Sequence, residues 1–103
     1  MIGSTMRVLA IEKDGPAAGR ADMKRFLQEE ARCVWELYQN DKIREIWFTV
    51  LDRRAVLLLE CASPEEAGAL LATLPLVREQ FISFETLALK PYDGFERLFR
   101  LPE

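Results

Sequence analysis

The chain has 103 residues, half of them hydrophobic and 30% charged, with a net charge of −3. That is the balance of one soluble globular domain, and it argues against disorder, collagen-like repeats and coiled coils. Scattered basic residues disfavour a nucleic-acid surface, and no apolar run is long enough to span a membrane. The histidine count is zero. This excludes Ser–His and Cys–His nucleophile pairs, histidine metal sites and imidazole as a general acid or base. Proton transfer near neutral pH then falls to the carboxylates, cysteines, tyrosines or lysines.

Residues 1–5 lack the features of a signal peptide and read as extra residues ahead of a start at Met6. A single domain is expected over 6–103, with a C-terminal tail at 92–103. Arg7 to Glu12 is a short apolar run with polar bounds, read as the first strand. The segment from Lys13 to Arg20 carries two glycines and a proline and reads as a loop. Asp22 to Asn40 is predicted as one long helix. At about 100° per residue, Met23, Phe26, Leu27, Ala31, Val34, Leu37 and Tyr38 fall in one arc. Asn40-Asp41 stops it.

Ile43 to Val50 alternates Ile46, Phe48 and Val50 against Glu45, Trp47 and Thr49, the pattern of a strand with two faces. A polar turn, Leu51 to Arg54, leads to the nearly continuous apolar run Ala55 to Cys61, suited to a strand covered on both sides. Ser63-Pro64-Glu65-Glu66 then reads as a helix start: Ser63 as N-cap, Pro64 at the first position, Glu66 completing a capping box. This second helix buries Ala67, Leu70, Leu71 and Leu74, and Pro75 ends it. Gln80 to Lys90 is the last strand. In the tail, Phe95, Leu98 and Phe99 form a short amphipathic helical pattern.

The order β-α-β-β-α-β is that of the ferredoxin-like split arrangement, an α+β fold with a four-stranded antiparallel sheet and two helices on one face. Such a fold leaves the other sheet face bare. An apolar bare face predicts a homodimer formed sheet to sheet, with the tail adding contacts to a neighbouring subunit; the alternative is a monomer whose tail folds over its own sheet. Cys33 and Cys61 lie far apart in apolar stretches and read as buried free thiols. With no signal peptide expected, they point to the cytoplasm.

One residue of the first helix stands out. Glu30 falls at the centre of the apolar arc, whereas Glu29 falls outside it. A carboxyl facing an apolar interior is costly unless partnered or protonated, and burial raises its pKa. A carboxyl lifted toward neutrality exchanges protons in both directions, as a general acid–base must. The structural alternative is an ion pair with an arginine such as Arg44, or a place near the rim. Trp47 reads as a pocket wall, as part of a dimer interface or as core, and Glu85 as a solvent-facing strand residue rather than a second buried acid. Arg53 and Arg54 in the hairpin turn read as an anion-attracting pair or as a solvated turn. No phosphate-binding glycine loop, nucleophile elbow, zinc spacing or cofactor motif is present.

The stretch from Glu30 to Pro91 resembles muconolactone isomerase and its relatives among the dimeric α/β barrels. The likeness is carried by the helix acid followed by Leu37-Tyr-Gln-Asn-Asp-Lys-Ile43, by Arg44-Glu-Ile-Trp47 and by the apolar strand ending in an acid. Leu71-Ala-Thr-Leu-Pro-Leu76 and Glu85-x-x-x-Leu89-x-Pro91 complete it. It implies a sheet-to-sheet dimer, no cofactor or metal, and a proton shift in a small unsaturated lactone, with Glu30 as shuttle and Trp47, Arg44 and Arg53 around the substrate. The chain departs from the family pattern at Phe48, where the family has arginine, and at Arg53 and Lys90, where it has histidines. Two other functions fit the same fold: a non-catalytic small-ligand-binding or assembly module, and a cofactor-free monooxygenase.

Overall fold

A computed structural model describes residues 4–100. The elements are β1 (Met6–Asp14), a 3-10 turn (Ala21–Phe26), α1 (Leu27–Gln39), β2 (Ile43–Phe48), β3 (Ala55–Cys61), α2 (Pro64–Ala72), α3 (Pro75–Arg78), β4 (Ile82–Leu89) and a second 3-10 turn (Gly94–Leu98). The four strands form one open sheet in the order β2-β3-β1-β4, and every neighbouring pair is antiparallel. This α+β arrangement is compatible with a ferredoxin-like fold. Residues 1–3 and 101–103 of the expected leader and tail lie outside the described residues.

Period-two alternation decides the two faces of the sheet. Val8 and Ala10 of β1 are opposite Leu59 and Leu57 of β3, and all four are buried. They form the core with Ala67, Leu71 and Leu74, while Cys33, Val34 and Leu37 of α1 pack against it. Each buried leucine here stabilises the fold by about 1.5–3 kcal/mol relative to exposure. The opposite face carries Leu9, Ile11, Val56 and Leu58, half-buried, and Leu87 and Leu89, exposed. Cys61 is buried, Cys33 half-buried, and both are free thiols.

Several boundaries differ from the sequence expectation, each for a local reason. The first helix opens with a separate 3-10 turn, because Arg20 at its start offers no side-chain acceptor for the free N–H groups. Phe26 instead packs on Phe81, with ring centroids 5.6 Å apart. The helix does stop at Asn40-Asp41, in a Schellman motif. Asp41 adopts φ 62°, and the Lys42 N–H bonds the Leu37 carbonyl at 2.9 Å. β1 runs on to Asp14 because Lys13 and Asp14 still pair with Ser83 and Ile82 of β4. β2 ends at Phe48, two residues early, because the Thr49 N–H bonds the Arg54 carbonyl and closes the hairpin turn. That turn leaves Val50 and Leu51 almost fully exposed.

Ser63 caps α2 as the sequence indicates, accepting the Glu66 N–H at 3.1 Å. The return bond of Glu66 goes one residue further back, to the Ala62 N–H at 2.9 Å. Pro75 does not itself end that helix. The chain turns at Thr73, and Pro75 occupies the first turn of the short α3. β4 begins at Ile82 rather than Gln80, because Gln80 takes φ 67° to leave α3. Gly15 lies so close to the Gln80 backbone that a side chain there would collide with it. In the tail, Tyr92, Phe95, Leu98 and Phe99 are all exposed, with Tyr92 and Phe95 meeting edge to face at 4.8 Å.

Candidate active site between α1 and the sheet

No residue of α1 is fully buried. Its apolar arc meets the sheet only in part, and the remaining surface faces a cavity of about 850 Å³. Leu27, Glu30, Ala31, Val34, Trp35 and Tyr38 of the helix line one side. The sheet supplies Glu12, Leu57, Ile82 and Phe84, and the edge strand β2 supplies Ile46 and Phe48. Leu74 and Leu76 complete the wall. The volume lies within the range of about 300–1,000 Å³ typical of small-molecule sites, and the lining is mostly apolar with a few polar groups, as such sites are.

Glu30 is half-buried on this wall. Its Oε1 accepts the backbone N–H of Leu76 at 2.9 Å. Leu74, which precedes α3, has no side chain able to cap that helix, so Glu30 supplies an acceptor from α1. No ion pair to Arg44 forms. Arg44 sits instead at a β-bulge between Ile43 and Glu45, where its guanidinium reaches Asp41 at 3.5 Å and Glu60 at 3.9 Å. Burial pushes the Glu30 carboxyl above the ordinary glutamate value. The Leu76 N–H pulls it down in part, the charge of Glu12 pushes it further up, Arg78 draws it down and Glu29 raises it. The net direction is upward.

Arg53 lies at the cavity with its guanidinium 4.3 Å from the centre of the Phe48 ring. Its backbone is left-handed, with φ 52°. A non-glycine residue pays about 1–2 kcal/mol for that conformation, and strain of this kind concentrates at functional sites. Arg54, its neighbour, is engaged otherwise: it bonds Asp52 at 2.8 Å and the Glu12 carbonyl at 3.3 Å. Trp47 lies on β2 at the cavity's edge, 64% exposed, with its indole N–H donated to Glu45 at 3.1 Å. Its register partner is Val56, on the sheet face away from the helices. Glu85 is exposed, as expected.

Glu30, Arg44, Trp47 and Arg53 therefore all border one cavity. Trp35 and Glu12 border the same cavity without being singled out by the sequence. Trp35 of α1 is 60% exposed and lines the cavity, though it lies outside the apolar arc. Glu12 reads as the polar end of a strand, yet its spacing from Val8 and Ala10 places it on the helix-bearing face. Among the described residues no cluster of three or more acidic, cysteine or histidine side chains could hold a metal ion. Nor is any helix among them long and apolar enough to cross a membrane. Comparison with protein-family models and with curated proteins returns no match.

Proposed function

We propose that the chain is a small cofactor-independent enzyme of the muconolactone isomerase type, in which Glu30 moves a proton between two carbons of a small unsaturated lactone or carbonyl compound. One observation carries this reading: the Glu30 carboxyl of α1, its pKa raised by burial, set in the wall of a mostly apolar cavity. The Glu30 carboxylate takes a proton from the carbon next to the carbonyl. The C–H electron pair passes into an enolate conjugated with the double bond. The Glu30 carboxylic acid then returns the proton at the far carbon of that system, and the double bond ends one position along. The Arg53 guanidinium, engaged with a ring and not with a carboxylate, is available to steady the enolate oxygen. Arg44 is held back by Asp41 and Glu60, so its part is at most to border the substrate. Trp35 and Trp47 wall the space.

The same reading includes a homodimer formed through the open sheet face. Leu9, Ile11, Val56, Leu58, Leu87 and Leu89 support it, as an apolar surface that the helices of this chain do not cover. The exposed aromatic tail supports further contact between subunits.

The test is an isomerisation assay on unsaturated lactones with wild type and Glu30→Gln. The variant keeps an oxygen for the Leu76 N–H. It is expected to lose about a hundred- to ten-thousand-fold in rate, the worth of a positioned base. Full activity in Glu30→Gln on a turned-over substrate would refute the assignment. A second reading, a non-catalytic small-ligand-binding module, is favoured by the bond from Leu76 to Glu30, which gives the acid a structural task. It predicts ligand binding without turnover, unchanged by Glu30→Gln.

A further inference from the structure

Both tryptophans of the chain border the cavity. Trp35 stands on α1 with Tyr38, and Trp47 on the edge strand β2 with Phe48. None of the four is packed into the core, and each keeps about half of its surface or more exposed. The floor is different, built from buried aliphatic side chains such as Leu57 and Leu74. Large ring faces left in water mark a surface that takes a partner, and flat rings stack on them well. The spacing along α1 sets a length. Trp35 and Tyr38 lie five and eight residues beyond Glu30, which at 1.5 Å per residue is about 7.5 and 12 Å along the helix axis. The turn at 40–42 sends β2 back along α1, so the hairpin turn after β2, which carries Arg53, lies toward the Glu30 end. There the Arg53 guanidinium rests on the Phe48 ring at 4.3 Å, and the nearby carboxylate of Asp52 is taken by Thr49 and Arg54. The cavity thus has its acid and its cation toward one end and Trp35 and Tyr38 toward the other.

We propose that the substrate of this site is an unsaturated carbonyl compound fused to an extended aromatic system. Its carbonyl end lies at Glu30 and Arg53, and its flat rings run along α1 to stack against Trp35 and Tyr38. This deepens the proton-transfer reading given above and rests on it. A single lactone ring held at Glu30 would not reach Tyr38, and it would leave the far end as water against apolar walls. The volume of about 850 Å³ lies in the upper part of the range in which sites enclose drug-sized ligands. Trp35 is then a specificity-determining residue: it touches the rings and takes no part in the proton transfer. A second fused ring adds buried apolar area and a stacking contact, which together should tighten binding about ten- to a hundredfold.

The test reads binding without turnover. Benzoate, 2-naphthoate and the saturated two-ring decalin carboxylate are titrated by calorimetry into wild type, Trp35→Ala and Arg53→Gln. The three probes share a carboxylate for Arg53 and differ in their rings. Naphthoate should bind wild type about ten- to a hundredfold more tightly than benzoate, and more tightly than decalin carboxylate. Trp35→Ala should erase most of that preference and leave benzoate nearly unchanged. Arg53→Gln should weaken benzoate and naphthoate alike. No binding of naphthoate, equal affinity for naphthoate and benzoate, or a preference that survives Trp35→Ala overturns the proposal. So does decalin carboxylate binding as tightly as naphthoate, which would mark a general apolar contact, and so does Arg53→Gln with unchanged affinities. If Trp35→Ala does not fold, wild type decides by NMR: naphthoate must shift the indole N–H signal of Trp35, and an unshifted signal overturns the proposal. A protein that prefers two rings but turns over no unsaturated carbonyl compound would sink the isomerase reading only. One that turns over single-ring lactones and shows no ring preference would sink this proposal only.

Discussion

The bond between Glu30 and Leu76 allows the carboxyl's two burdens to be separated. Glu30→Gln removes the charge and keeps an acceptor oxygen. Glu30→Ala removes both. Leu76 is only 9% exposed, and in the alanine variant its N–H loses its protein partner. Leaving a buried donor unsatisfied costs about 1–3 kcal/mol. In a domain of this size each kcal/mol lowers the melting temperature by about 4–8 °C. Glu30→Ala should therefore melt well below Glu30→Gln at every pH. The comparison of Glu30→Gln with wild type depends on pH, and the sign follows from the raised carboxyl. The folded carboxyl keeps its proton to higher pH than the unfolded one. As the pH rises past the ordinary value of 4.5, the unfolded chain ionises first and binds fewer protons. Stability then falls with rising pH until the folded carboxyl has also ionised. Below that window both states hold the proton and the contribution is complete. The glutamine variant has no such fall. Thermal melts followed by circular dichroism between about pH 4 and pH 8 should show the two proteins close together at the acid end, with Glu30→Gln the more stable at neutrality. Identical pH dependence in wild type and Glu30→Gln would show that the site does not desolvate this carboxyl, and the electrostatic basis of the proton carrier would fall.

Two further outcomes test the surroundings. Arg53→Gly relieves the left-handed backbone and Arg53→Ala does not, so the glycine variant should be the more stable by about 1 kcal/mol in chemical denaturation, while both lose affinity for an anionic or enolate-like ligand by calorimetry. Ser63→Ala removes the acceptor for the Glu66 N–H, and the loss of that cap should cost about 1 kcal/mol in the same denaturation assay without changing ligand affinity.

Much of this site is written in local pattern. The strand faces follow from alternation, and the α2 start follows from Ser63-Pro64. Glu30 was legible because a wheel places it among Leu27, Ala31 and Val34. Its partner was not, because the acceptor's donor is a backbone N–H some 46 residues away, and no side-chain pattern announces such a bond. The cavity itself was also illegible. An apolar helix face looks the same whether it packs against a sheet or stands off from it, and only the fold shows Leu27, Ala31 and Tyr38 facing open space. The partners of Arg44 were illegible for a different reason: a bulge adds one residue to β2 and sets its guanidinium beside Asp41 and Glu60 rather than Glu30. Glu12 could have been found, since its phase matches Val8 and Ala10, but its position at the end of an apolar run made it look like a boundary.

The most direct test of Glu30 as proton carrier is solvent exchange at the substrate carbon. Unsaturated lactones are incubated with the protein in deuterium oxide, and the hydrogen beside the carbonyl is followed by proton NMR. Wild type should replace that hydrogen with deuterium far faster than buffer alone, and Glu30→Gln should fall back toward the buffer rate. Equal exchange by wild type and Glu30→Gln would contradict a proton transfer through this residue.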